Sequence, residues 1–178
     1  MLRLFRRADP HLRSAARLRD AITARAREPV FYQHFGISDT IDGRFDLLAL
    51  HCFLVMQGLS RQGKAGTQVG THLATLTFAG FEDALRELGV GDMGLSRRIK
   101  AMANAFYGRL HAYAEAGKER EKLAAAILRN LYRGDAGRER EADRLADYAL
   151  QALGRLADDA RAAKLMDGIA DFGPAPQP

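Results

Sequence analysis

Gly89, Gly91 and Gly94 fall at the spacing G-x-G-x-x-G. After a strand, that motif aims backbone amides at a dinucleotide pyrophosphate. Here the entering residues, 81–88, carry apolar side chains at 81, 84, 85 and 88, a helical spacing with no βαβ pattern around it. Gly89 therefore reads as the left-handed residue that ends a helix, and no nucleotide cofactor is expected. Other chemistry is sparse. The histidines at 11, 34, 51, 72 and 111 include no pair at metal-ligand spacing, and the one cysteine, Cys52, cannot build a zinc site. Cys52 lies in the apolar run 45–56, where an inert buried thiol is expected, and His51 beside it reads as a core histidine with one satisfied nitrogen. His34 is the better functional candidate, because it sits among aromatics. Asp39, Asp42 and Asp46 surround Gly43 without calcium-loop spacing, so helix capping by Asp39 or Asp42 is the simpler account. No serine or cysteine stands beside an obvious base. The residues predict a binding protein without cofactor or metal, not an enzyme.

The elements that must position these residues read as helices. Asp9-Pro10 is a cap followed by a first-turn proline, and Glu28-Pro29 ends that first helix. Residues 30–42 read as irregular and aromatic. An apolar helix over about 44–59 is hydrophobic around its circumference and belongs at the centre of a core. A glycine-rich loop is expected at 60–66, then a helix over 67–88 whose threonine-rich stretch 71–78 is its least helical part. Further helices are predicted over 95–116, over 123–131 ending at Gly134, and over about 145–163. The Gly/Pro tail 171–178 is expected to be disordered. The prediction is an all-α, single-domain bundle of about six helices, with residues 1–28 as a basic amphipathic helix and 29–170 as the main domain.

Charge is concentrated at the start. The chain carries +5 overall, and residues 1–28, with eight arginines against Asp9, Asp20 and Glu28, account for all of it. Leu12, Ala15, Leu18 and Ile22 form an apolar stripe among those arginines. Arg3, Arg6, Arg7, Arg13 and Arg17 are thus candidates for contact with an anionic membrane surface; ordinary packing of the helix by its stripe is the alternative. The order of helix, glycine turn and basic helix at 85–100, with Arg97, Arg98 and Lys100, also fits a helix-turn-helix regulator. Its turn is too long for the compact form, and Asp83, Glu87 and Asp92 dilute the potential, so DNA is the secondary reading.

The run Tyr32-Gln33-His34-Phe35-Gly36-Ile37-Ser38-Asp39-Thr40-Ile41-Asp42-Gly43-Arg44-Phe45-Asp46 resembles the opening signature of the ubiquinol–cytochrome c chaperone family. Leu85-Arg86-Glu87-Leu88-Gly89-Val90-Gly91-Asp92 and Ala105-Phe106-Tyr107-Gly108-Arg109, with Tyr113, match in order and spacing. The chain departs from the pattern at Gly80-Phe81-Glu82-Asp83, where a more acidic run is usual, and at Ser96, where proline often stands. The resemblance implies an α-helical assembly factor for respiratory complex III that binds newly made cytochrome b. It also implies work near the ribosome and inner membrane, with a small partner protein in mitochondrial members. The short N-terminus points to a bacterial member in the cytoplasm, peripheral to the inner membrane, with the mitochondrial matrix as the alternative.

On that reading Phe31, Tyr32, His34, Phe35, Asp42, Arg44, Asp46, Phe106 and Tyr107 are the expected client contacts; the alternatives are that the aromatics are core and corner residues, and that Asp42, Arg44 and Asp46 join Arg86, Glu87, Asp92 and Arg109 in a buried ion-pair network. Arg86, Glu87, Gly89, Gly91, Asp92 and Arg109 are expected to form a structural corner or ion-pair network, with Arg109 pairing a carboxylate of the Gly89–Asp92 turn. A chaperone that shields such a client needs exposed apolar surface with polar groups around it.

Overall fold

A computed structural model describes residues 9–177. It comprises α1 (Pro10–Ala26), α2 (Pro29–Gln33), α3 (Ile41–Ser60), α4 (Gly63–Glu87), α5 (Asp92–Ala116), α6 (Arg120–Leu131), α7 (Glu139–Leu156) and α8 (Asp159–Leu165), with a 3₁₀ turn at Ala136–Arg138 before α7. No strand occurs among the described residues. The all-α prediction holds. The helices exceed the expected number because residues 29–33 form a short helix and the last predicted helix is split. Asp158 makes that split: its carboxylate accepts from the Arg161 amide and caps α8.

The helix α3 is the axis of the bundle, packed against α1, α4, α5, α6, α7 and α8. This follows from its apolar circumference: Leu47, Ala49, Leu50, Leu54 and Val55 have no exposed surface. Its N-cap is Thr40, whose hydroxyl accepts from the Gly43 amide, so neither Asp39 nor Asp42 caps it. Asp42 sits instead in the first turn, where the helix dipole favours negative charge. The expected loop at 60–66 shrinks to Arg61 and Gln62. Close approach there requires glycine, since a Cβ on Gly66 would lie 1.9 Å from the Leu59 carbonyl oxygen. The threonines of α4 do not break it. Thr67, Thr71 and Thr75 each donate to the carbonyl four residues back at 3.0–3.1 Å, so their hydroxyls are satisfied on an exposed face by sharing acceptors of the helix backbone, which weakens a helix slightly without ending it.

One expectation about the ends changes, and one alternative is chosen. Ala15, Leu18 and Ile22 are fully buried against α3 and α4, so α1 packs on the core by its apolar stripe. The tail is laid on the protein as far as Gln177. Phe172 is buried, edge-on to His51 at 5.3 Å, and Arg25 donates to the Gly173 carbonyl at 2.5 Å. One aromatic anchor overrides a composition that otherwise reads as disordered.

Candidate functional site

Asp46 is the most constrained charge in the protein. It is 1% exposed, and its two oxygens lie 2.6 Å from Arg109 and 2.7 Å from Arg133. The arginines differ: Arg109 is 13% exposed, whereas Arg133 is 56% exposed. Arg109 also lies over the Phe45 ring, 5.1 Å from its centroid, and donates to the Ala105 carbonyl at 3.0 Å. Burial raises the Asp46 carboxyl to about 6, and the two guanidiniums oppose that rise. Asp46 is therefore a buried strut joining α3 to α5 and to the turn after α6, not a surface contact. Arg109 pairs with it rather than with the Gly89–Asp92 turn, because its position on α5 faces α3.

The corner between α4 and α5 is a surface feature. Gly89 has φ +78°, and the amides of Gly89 and Val90 return to the carbonyls of Arg86 and Leu85. This is the glycine-terminated helix end expected from the sequence. Gly91 is the N-cap residue of α5, and Arg86 bridges Glu82 at 2.9 Å and Asp92 at 3.0 Å. Glu87 is exposed and makes no ion pair among the described residues. Leu88 and Met93 project beside this corner, Met93 being 92% exposed.

The aromatic zone expected at 31–35 is mostly core. Phe31, Phe35 and Phe106 have no exposed surface, so as placed they pack the bundle and offer nothing to a client. Phe31 meets His51 at 5.4 Å and Tyr148 at 5.7 Å, both edge-on. His51 has both nitrogens satisfied, one at 2.8 Å from the Leu47 carbonyl and one at 2.9 Å from the Tyr148 hydroxyl, and burial lowers it to about 4. Cys52 is buried beside it, its thiol pushed up to about 12, consistent with an inert role. On the outside remain His34, the partly buried Tyr32, and Tyr107, which is 55% exposed and 6.4 Å from Phe78. Arg44 is exposed and paired with Asp39 at 2.7 Å.

Tyr32 and Arg44 open onto a groove of about 360 Å³ between α1, α3 and α4. Its walls include Ala26, Ile41, Leu48, Phe81 and Ala84, and its rim carries Arg19, Asp20, Arg27 and Arg44. Sequence reasoning missed Arg27, Thr77 and Phe81 here, because no local pattern marks residues that only the packing of three helices brings together.

Of the basic N-terminal residues, Arg3, Arg6 and Arg7 lie outside the described residues. Arg13 and Arg17 are exposed on α1, and Arg17 donates to the Asp167 carbonyl at 3.3 Å. Among the described residues no cluster of histidine, cysteine and carboxylate could hold a metal ion, and no helix is long and apolar enough to cross a membrane.

Comparison with known proteins adds three findings. The family model of the ubiquinol-cytochrome C chaperones matches residues 33–172. A Xenopus laevis protein described as ubiquinol-cytochrome-c reductase complex assembly factor 1 is 23% identical over 119 residues, which are 66% of this chain. Those residues span 60% of that curated relative's length. The crystal structure of the Cbp3 homolog from Brucella abortus is similar with a TM-score of 0.80 and 33% identity, covering 92% of this chain and 91% of that one.

Proposed function

The chain belongs to the ubiquinol–cytochrome c chaperone family, and from that premise we propose that it is an assembly chaperone for ubiquinol–cytochrome c reductase, with newly made cytochrome b as its client. The carrying observation is the family match across 33–172, on a fold shared with a bacterial relative over almost the whole chain. The geometry supports binding in place of catalysis. The histidine and cysteine that sit deepest, His51 and Cys52, are enclosed and held uncharged, whereas apolar groups such as Leu88, Met93 and Tyr107 face outward. A chaperone of this kind holds an apolar segment by surface complementarity and needs no proton or electron transfer. Tyr32, His34, Asp42, Arg44 and Tyr107 are the accessible members of the expected client contacts.

The same reading places the protein in a bacterial cytoplasm beside the inner membrane. There the outward arginines of α1, Arg13 and Arg17, with the half-exposed Leu12 between them and the core, face anionic lipid. Contact with the ribosome and with a small partner protein belongs to the family resemblance alone. The test is deletion of the gene followed by native separation of respiratory complexes. Assembled reductase is expected to fall while transcripts of its subunits stay normal. Unchanged reductase refutes the proposal, and lowered transcripts point to the helix-turn-helix regulator.

A further inference from the structure

Residues 171–177 lie along α7 as a strap, and their seat reads three consecutive residues in three different ways. Asp171 meets two arginines, Arg155 at 2.7 Å and Arg161 at 3.1 Å. Phe172 is buried, edge-on to His51 at 5.3 Å, with the Arg25 guanidinium 5.6 Å from its ring centroid. The nitrogens of His51 are already engaged by the Leu47 carbonyl and the Tyr148 hydroxyl, so this pocket suits an apolar ring. Gly173 has φ +77°, and a Cβ there would lie 2.9 Å from the Arg155 Cδ, so the third position calls for glycine. Arg25 donates to the carbonyl of that glycine at 2.5 Å.

Beyond Gly173 the fit loosens. Pro174 is exposed, Pro174 and Pro176 carry no amide hydrogen, and Arg144 donates to the Gln177 carbonyl. Space remains on both sides of Pro174. One cavity of about 380 Å³ runs toward Gly154, Arg155 and Arg161, and one of about 260 Å³ toward Phe35, Arg144 and Asp147. Tyr148 and Gln151 line both. The trough is therefore larger than the segment that fills it, and selective over its first three positions. The ion pairs that hold Asp171 are 38–39% exposed, so water screens them and the strap is held weakly at that end.

We propose that this trough is the docking site for a partner polypeptide carrying aspartate, an aromatic residue and glycine in succession, followed by a bulky side chain, and that residues 171–177 occupy it in cis until the partner displaces them. The seated strap supplies the pattern of the first three positions: paired arginines complement the carboxylate, the pocket over His51 takes the ring, and Arg155 enforces the glycine. The unfilled space beside Pro174 supplies the fourth. The site stands apart from the chaperone reading, and its test does not depend on reductase assembly.

Two peptides are titrated calorimetrically into the full-length protein and its Phe172→Ala variant, whose strap lacks its anchor. One, acetyl-Asp-Phe-Gly-Pro-Ala-Pro-amide, copies the strap; the other, acetyl-Asp-Phe-Gly-Tyr-Ala-Pro-amide, places a ring where the space is. Phe172→Ala is expected to bind both saturably, and the wild type to bind each more weakly by about tenfold or more, because the cis segment lowers the fraction of open seats. The tyrosine peptide should bind tighter than the copy. Asparagine in place of its aspartate should weaken it by about tenfold or more, the loss of charge-assisted bonds to two arginines. A measurement on the wild type alone covers the case in which Phe172→Ala does not fold. At saturating tyrosine peptide, hydrogen exchange at the Gly173 amide, which bonds Asp171 at 3.0 Å, should rise while α7 stays protected. The proposal is overturned if the tyrosine peptide saturates neither protein, if folded Phe172→Ala and wild type bind it equally, or if the asparagine form binds as well. Unchanged Gly173 protection at saturation overturns it too, since the peptide then sits elsewhere. A tyrosine peptide weaker than the copy also refutes it, because the trough is then complete with its own strap.

Discussion

Replacing Arg109 by Ala tests the strut on which α3 and α5 meet. The change leaves Asp46 almost fully enclosed with only Arg133, whose side chain is 56% exposed. An exposed partner is screened by water and contributes little, so most of the compensation for the buried carboxylate comes from Arg109. Removing one partner of a buried pair costs about 3–5 kcal/mol. For a chain of this size about 1 kcal/mol moves the melting temperature by about 2–4 °C, so a loss on the order of 10 °C is expected near neutral pH. The pH dependence identifies the cause. Folding raises the Asp46 carboxyl from 3.8 to about 6. Between those values the folded protein holds a proton that the unfolded chain has released. Its contribution to stability is thus complete below the ordinary value and is lost as pH rises through about 6. Without Arg109 the carboxyl rises further, so lowering the pH to about 5 neutralises the stranded charge and recovers much of the loss. His51 has the opposite sense, its folded-state value lowered from 6.5 to about 4, so it removes stability as pH falls through that window. It is common to both proteins and cancels in the difference. Thermal melts of wild type and Arg109→Ala at about pH 7.5 and about pH 5 decide it. A loss within about 2 °C at neutral pH, or an equal loss at both values, refutes the account of Asp46 as a buried carboxylate held by Arg109.

Three further outcomes are expected. Phe106→Ala should cost about 3–5 kcal/mol as a buried aromatic truncation, whereas Tyr107→Ala beside it should stay within about 0.5 kcal/mol in melts and lower cytochrome b capture in pull-downs. Gly43→Ala should be strongly destabilising by thermal melt, because its Cβ would sit 1.9 Å from the Ser38 carbonyl oxygen, whereas Gly80→Ala in open space should gain up to about 1 kcal/mol. Reversing Arg13 and Arg17 to Glu should weaken binding to anionic vesicles in a salt-sensitive way with the helical signal intact, whereas deleting residues 1–28 should abolish that signal, since Leu18 and Ile22 are core residues.

What the sequence determined by itself was chiefly local. Asp9 caps α1, Gly89 and Gly117 adopt positive φ at helix ends, and the apolar circumference of α3 puts it at the centre. These depend on chemistry within a turn or two of chain, and on a periodicity that one strand of text displays in full. The three signature blocks were legible for the same reason, and they carried the family. Most of the candidate site was not legible. Residue type makes Phe31, Phe35 and Phe106 equally fit for a core or a contact surface, and only the packing of the helices around α3 places them inside while Tyr107, next to Phe106, points out. The choice of partner for Arg109 was likewise tertiary: Asp46 and Asp92 are both carboxylates, but helix α5 turns one face to α3, and burial makes that pairing the costly one to lose. Phe172 and Thr77 complete the contrast. A single aromatic in a Gly/Pro tail and one threonine among several carry no distinguishing signal in sequence. Their surroundings arise when distant helices close a core over the first and enclose the second's hydroxyl at the edge of a groove.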